Sequence, residues 1–454
     1  MTTVADLGDA TSADGATRLP GSVRRAPGLS RDARLLIAGQ GVRAAGYGFT
    51  AVILGAVLAA RGLTSLQVGA VLTALIAGTA VASVAVGMFA DRIGRRRCYA
   101  LFFAGLAVAG LLVAAGIPWW VLLIVALTGT LSTDVVDNGP ATTLEQSMLA
   151  AEDAGTARVF GRYNMVGSAA GALGALAVIL PGLGRQSAAP HSWLFAALVP
   201  VGIAGIVIAS RLSSSTEAAR QGAGKPRPHT RTKLGPSRRI VHRLAGLFAI
   251  DSAGGGLVTT GFLSYFFTSR YHTSLIALGW LFFAVSVVQA ISVGVAPALA
   301  RRYGLVATMV GTHLPSNVLL ASIAFAPSFP VAAALLLART TLSQMDVPAR
   351  QALVMAVVSP EERTAASAVT NAARYTVRPI GPLVAGAAQQ LALGAPLLLA
   401  GAVKGGYDVA LWVWARRLPL GKSSASAKPG AATSREATDG AAGSAAPDRK
   451  EKVS

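Results

Sequence analysis

Gly87-Met88-Phe89-Ala90-Asp91-Arg92-Ile93-Gly94-Arg95-Arg96-Arg97 stands between two long apolar runs, and its reading decides the fold. One carboxylate, a glycine turn and four arginines crowd the point where one run ends and the next begins. Each flanking run is long enough to cross a bilayer, whose hydrocarbon core of about 30 Å needs roughly 20 apolar helical residues. A water-soluble bundle has little use for so short and charged a turn between runs so apolar.

Working outward, the rest of the chain has the same character. Of 454 residues, 53% are hydrophobic and 13% charged, and the mean hydropathy is +0.55. That composition belongs to polytopic membrane proteins. Windows of membrane length give twelve expected spans, centred near Ile53, Ala77, Ala107, Ala126, Ala172, Gly202, Val258, Val285, Val318, Leu342, Ala373 and Val403. The runs are continuous and rich in Ala, Leu and Gly, without the alternation of a β-barrel. The expected fold class is an all-α integral membrane bundle. No cleavable signal peptide is expected, because the first apolar run begins near Leu35 behind a polar tail. The single Cys98 cannot form an internal disulfide and reads as a small apolar filler.

The net charge of +20 is distributed by turn. Basic residues gather at alternate turns: Arg24, Arg25, Arg31 and Arg34, then Arg92 to Arg97, Arg158 and Arg162, Arg301 and Arg302, Arg416 and Arg417. The polar stretch from Arg211 to Arg243 holds nine Lys or Arg against Glu217, while the opposite turns carry Arg61, Arg185 and Arg270. This asymmetry puts both termini and the central loop in the cytoplasm. Aromatic stacking platforms among the basic residues are missing, so nucleic acid is not an expected partner. Basic clusters beside the bilayer favour anionic lipid by about 1 kcal/mol per charge.

The chain also repeats itself. Arg43-Ala-Ala-Gly46 recurs as Asp251-Ser-Ala-Gly254, Thr64-Ser65-Leu66 as Thr273-Ser274-Leu275, and Ala90-Asp-Arg92-Ile-Gly94 as Ala300-Arg-Arg302-Tyr-Gly304. Asn138-Gly-Pro140-Ala141 recurs as Asp346-Val-Pro348-Ala349, and Asn164 as Asn371, with the displacement held between 207 and 210 residues. Two six-helix halves in parallel orientation follow, with expected bounds 34–211 and 241–415, a basic linker at 212–240, and unfolded tails at 1–33 and 416–454.

With its duplicated six-plus-six arrangement and its Asp91-Arg92-x-Gly94-Arg95-Arg96 turn between helices two and three, the chain resembles the major facilitator superfamily. The resemblance covers about Arg34 to Arg417. It implies two pseudo-symmetric six-helix bundles that rock about a site near the midplane. It further implies that helices one, four, seven and ten line the cavity and that three, six, nine and twelve face lipid. Gly87, Asp91, Arg92, Gly94, Arg95 and Arg96 are then the cytosolic gate. Gly87 would allow close helix approach. Asp91 would pair with Arg95 or Arg96 and meet the N-terminus of helix eleven near Thr364. The alternative is that these arginines only fix topology and bind lipid. Where drug-proton antiporters of the superfamily carry an arginine in helix four, this chain has Asp134 and Asp137. Their helix-five Gly-Pro motif is absent, and Gly381-Pro382 lies in helix eleven instead.

Charged residues inside spans point to a transport site, since each is costly unless paired or wet. Arg43 and Asp251 occupy equivalent places in helices one and seven, about 12 Å from the cytosolic boundary at ~1.5 Å per residue. Asp134 and Asp137 fall in helix four; Arg339, Asp346 and Arg350 share one face of helix ten, where Pro348 should bend the rod. Asp346 and Arg350 read as an i,i+4 pair, and Arg339 has no local partner. Asn371, Arg374, Tyr375 and Arg378 form a polar face on helix eleven. Lys404 and Asp408, four apart in helix twelve, should neutralise each other, and His313 with Asn317 reads as a helix-to-helix hydrogen bond.

No phosphate loop, zinc-ligand cluster or activated nucleophile appears, so neither an enzyme nor a cofactor is expected. The resemblance implies a secondary transporter of a small molecule in the cell membrane, proton-coupled and exporting. The alternatives are an uptake symporter or uniporter for a small organic or anionic solute, and a non-transporting sensor. Asp251 or Asp134, made harder to ionise by burial, is the most economical proton carrier. Neutralising the coupling acid, by Asp251→Asn or Asp134→Asn, is expected to abolish accumulation driven by a pH gradient in vesicles while sparing exchange. Full accumulation in both variants would exclude the pair.

Overall fold

The computed structural model describes residues 29–133, 139–149, 156–183, 191–217 and 234–416. Among these, every regular element is helical. The first half holds α1 (Arg31–Ala60), α2 (Ser65–Ile93), α3 (Arg95–Ala114), α4 (Trp119–Leu127), α5 (Pro140–Leu149), α6 (Thr156–Ala177), α7 (Leu180–Leu183) and α8 (Leu198–Arg211). The second holds α9 (Arg238–Gly256), α10 (Thr260–Tyr271), α11 (Leu275–Tyr303), α12 (Leu305–Ile323), α13 (Phe329–Ser343), α14 (Asp346–Ala356), α15 (Arg363–Val377), α16 (Ile380–Gln389) and α17 (Ala395–Ala415). They make twelve rods, because α4–α5, α6–α7, α9–α10, α13–α14 and α15–α16 are each one span with a break, and a 3-10 turn at Ser192–Ala197 leads into α8. Seven helical stretches are long and apolar enough on their own to cross a membrane.

The repeat seen in the sequence is a repeat of local geometry. Thr64 caps α2 in a reciprocal box with Gln67, and Ser274 caps α11 by accepting from the Ala277 amide at 3.3 Å. Both helices run 29 residues and end at a glycine of positive φ, 107° at Gly94 and 88° at Gly304. Only glycine takes that conformation without strain, and it lets the next helix start at once. The preceding turns match too, with left-handed residues at Gly62 and His272.

Large apolar side chains such as Leu101, Val108, Ile203, Trp280, Ile291, Val318 and Val413 lie exposed along the rods. Water would not favour such a belt; acyl chains do. Within the first half, α1 crosses α6 at backbone contact, where a Cβ on Gly174 would fall 2.0 Å from the Ala45 carbonyl oxygen. Such small-residue packing is how helices approach closely in a membrane.

Among the described residues, the close contacts between the two halves fall at one end. Where α1 finishes and α2 begins, Gly55 abuts the Gly261 carbonyl, Gly69 abuts that of Pro382, and Gly386 abuts that of Ser65. Ser264 Oγ donates to the Val52 carbonyl at 2.5 Å across the same seam. At the opposite end, which bears Gly94, Gly304 and the basic turns, α15 packs on α9 and α14 of its own half. The lobes are closed at the weakly charged end, which carries Arg61 and Arg270, and parted at the strongly basic end. Gly87, expected at a close helix contact, has open space around it for that reason. The bend in span ten falls at Gln344 and Met345, with Pro348 in the first turn of α14 beyond it.

At the charged end Glu362 clamps the chain leading into α9. The Ser237 hydroxyl, the Gly235 amide and the Ser359 hydroxyl all bond its carboxylate and hold it below the ordinary glutamate value of 4.5. This clamp is at full strength above that value and lets go as pH falls through the lower folded one.

A side chain at the closed seam should pry it open. In a Cys98→Ala, Ser65→Cys background, Gly386→Val places carbon 2.4 Å from the Ser65 carbonyl oxygen. Overpacking of about 1–3 kcal/mol should raise the rate of maleimide labelling at position 65 by roughly tenfold. An unchanged rate would mean that the seam does not gate access.

Candidate functional site

Arg43 lies on α1 with 1% exposure and meets Glu145 of α5, which is wholly buried, at 2.9 Å. The same guanidinium donates to Thr142 Oγ1 at 2.9 Å and to Gln40. Glu145 also accepts from Tyr99 at 2.7 Å and from Tyr163 at 2.5 Å, so spans one, three, four and five converge on one carboxylate. Arg43, expected to face a substrate, is thereby neutralised inside its own half.

Glu145 is the residue that sequence reasoning missed, and a signal for it existed. Arg43 and Thr142 are 99 residues apart, as are Asp251 and Arg350, so the repeat register points from Arg43 to the first turns of α5. The contacts are pseudo-equivalent, and the first-helix residue changes from a cation, Arg43, to an anion, Asp251.

In the second half Asp251 of α9 takes Lys404 Nζ at 2.5 Å and Arg350 Nη1 at 3.3 Å, with His313 Nε2 3.7 Å away. Arg350 also bonds Asp346 at 3.1 Å, as its i,i+4 spacing foretold. The expected neutralisation of Lys404 by Asp408 does not occur. Lys404 is drawn to the buried Asp251, and Asp408 is held by His313 Nδ1 at 2.8 Å and Asn317 Nδ2 at 2.8 Å. A long-range carboxylate without water outcompetes a local one already supplied with donors.

Two cations remain unmatched. Arg339 and Arg374 are partly buried and within electrostatic reach of Asp251, yet the Nε of each has no hydrogen-bond partner among the described residues. Arg378 and Tyr375 line a cavity of about 420 Å³ between span eleven and α2, facing Thr79 and Ser83 with Ser132 and Thr133 at its rim. Asp134 and Asp137 lie outside the described residues.

Asp91, Arg95 and Arg96 of the charged turn make their contacts within their own half. Asp91, whose side chain is 70% exposed, pairs with Arg95 at 2.8 Å. Arg95 donates to the Ser147 carbonyl at 3.2 Å and Arg96 to that of Ser210 at 3.3 Å. The expected contact of Asp91 with the start of span eleven is not made, because the lobes are parted there.

A twelve-rod bundle of two repeated lobes, with ionised side chains buried in each and a seam closed at one end, is the architecture of a membrane carrier. The family model described as Major Facilitator Superfamily matches residues 36–382, and the chain belongs to that superfamily. It is 26% identical over 392 residues to an uncharacterized membrane protein of Saccharomyces cerevisiae, YJR124C, covering 79% of this chain and 88% of the yeast one. The fold is similar to that of the nucleoside transporter NupG, with TM-score 0.68, 15% identity, and 85% and 98% of the two chains covered. It is similar also to the inward-open xylose transporter XylE from E. coli, with TM-score 0.61, 13% identity, and 84% and 96% covered. The chain is a secondary transporter and not an enzyme.

Removing one partner of the Arg43–Glu145 pair should cost about 3–5 kcal/mol, since it strands a buried charge. Glu145→Ala is expected to lower the thermal unfolding midpoint of the purified protein sharply. The double variant Arg43→Met, Glu145→Met should recover most of it. A double variant as unstable as the single one would show that the pair does more than neutralise charge.

Proposed function

We propose that the chain carries a small anionic organic solute together with protons, by alternating access across the cell membrane. Both termini and the charged end face the cytoplasm in this reading, and anionic lipid lies against the basic turns. The rocking units are 34–211 and 241–415, and the conformation described is then inward-facing. The charged turn from Gly87 to Arg96 is the gate that engages span eleven when the lobes close at that end.

The observation that carries the solute class is the surplus of buried cation at Arg339 and Arg374 beside Asp251, Asp346 and Arg350. A cationic solute would compete with protons for carboxylates, which gives exchange and therefore export. An anion instead binds where positive charge is unspent, and adding a proton to that network strengthens the site. Proton and anion then travel together. Export, expected from the overall resemblance, has no residue of this kind behind it, and the cation surplus supports entry of an anion with protons.

Proteoliposomes of the purified protein, acid outside, supply the test with a panel of labelled small carboxylates, organic phosphates, a nucleoside, xylose and organic cations. A carboxylate or phosphate is expected to accumulate. Arg339→Ala should cut that uptake about tenfold to a hundredfold, the scale of a lost hydrogen bond to a charged group at about 1.5–3 kcal/mol. Proton-driven extrusion of a cation would reverse the assignment to export.

A further inference from the structure

His313 was expected to make a helix-to-helix hydrogen bond; the structure seats its ring between two carboxylates. Nδ1 lies 2.8 and 3.0 Å from the two oxygens of Asp408, and Nε2 faces Asp251 Oδ1 at 3.7 Å. Asn317 donates to Asp408 at 2.8 Å and fixes that carboxylate, and the Tyr407 ring packs edge-on at 6.0 Å. His313, Asn317 and Asp408 are exposed by 3%, 2% and 1%.

The two ring nitrogens are served unequally. A proton on Nδ1 satisfies Asp408, which leaves the Nε2 lone pair pointing at a carboxylate oxygen already bonded to Lys404. At 3.7 Å that approach is too long for a hydrogen bond and repulsive for a neutral ring. A second proton, on Nε2, converts it into a charge-assisted contact. The imidazole is thus built to accept one proton and is flanked by anions in both ring directions.

Resting on the transport reading above, we propose that His313 carries the coupled proton and that Asp408, held by Asn317, positions the ring for it. One N–H bond forms at Nε2 with a proton from water admitted on the open side. The same bond breaks to water when the other side opens, and no redox partner is involved.

The surrounding charge links this step to the solute. Against the ring stand Asp251 from α9 and Tyr407 and Asp408 from α17. Lys404 of α17 and Arg350 of α14 bond Asp251, Asp346 of α14 bonds Arg350, and Arg339 of α13 lies within electrostatic reach of Asp251. Beyond them stand Arg374 and Tyr375 of α15, while α11 keeps its ionisable side chains Arg301, Arg302 and Tyr303 in its last turn. Among the described residues of this network, Asp251, Asp346 and Asp408 face four cations, Arg339, Arg350, Arg374 and Lys404, which leaves one positive charge in excess before His313 is protonated. Protonation adds a second positive charge, and a bound anion relieves it.

The test needs no knowledge of the solute. The chain has five histidines, and a full-length variant with His191→Gln, His229→Gln, His242→Gln and His272→Asn leaves His313 as the one imidazole. In nanodiscs with nitrogen-15 histidine, its two ring nitrogens are expected to change between the one-proton and the two-proton form as the pH is varied. Asp408→Asn should cut pH-driven uptake at least tenfold with exchange retained, and Asp408→Glu should restore it. A ring held in one charge state from about pH 5 to 9 would overturn the proposal. So would undiminished pH-driven uptake in His313→Gln, where at least a tenfold loss with exchange retained is expected. Titration of His313 without flux of any solute in the panel would support the proton site and sink the transport reading instead.

Discussion

A charge inside an apolar bundle must find an opposite charge or water, and that requirement organises this molecule. It ties α1 to α5 through Arg43 and Glu145, and α9 to α14 and α17 through Asp251, Arg350 and Lys404. Glycine contacts set how closely the rods approach and where they can cross. An ion pair with under a tenth of its surface exposed selects the register as well, because a slip of one turn would leave both partners stranded.

The pairs also show what the duplication kept and what it changed. The 99-residue separation survives in both halves, while the sign of the charge on the first helix is reversed. The halves then diverge in how completely the charge is answered. Both Glu145 oxygens accept donors, from Arg43, Tyr99 and Tyr163. Asp251 takes a lysine and an arginine, with His313 Nε2 3.7 Å away and Arg339 and Arg374 within electrostatic reach. The buried cation of one lobe has its own carboxylate, and the other lobe shares its carboxylates among several cations.

Much of this was legible in the sequence. Window length and hydropathy found the rods, and the fixed displacement found the matched caps at Thr64 and Ser274 and the matched turns at Gly94 and Gly304. Asp346 with Arg350 was legible because i,i+4 geometry is local. The same local reasoning failed at Lys404 and Asp408, where partners from α9 and α12 take both side chains. Glu145 was overlooked because it lies in the second segment of a broken span, past the apolar window that marked it. Gly87, expected at a close helix contact, has open space around it, because a sequence does not say at which end two lobes will be parted.

The distribution of pairs bears on how such a molecule can move. Arg43–Glu145, Arg95–Asp91, Arg350–Asp251, Arg350–Asp346 and Lys404–Asp251 each lie inside a single half. Rocking one half against the other therefore breaks none of them, and none of their desolvation has to be repeated. What changes is the seam at the weakly charged end, where the halves touch through glycines, apolar side chains and hydrogen bonds such as Ser264 to Val52. Those contacts are weak one by one and have counterparts available at the other end once the lobes tilt. Strong electrostatics is spent on making each lobe rigid, and weak packing is left to hold them together. A ligand that bridges the unanswered cations of one lobe and the polar wall of the other can then decide which end is open.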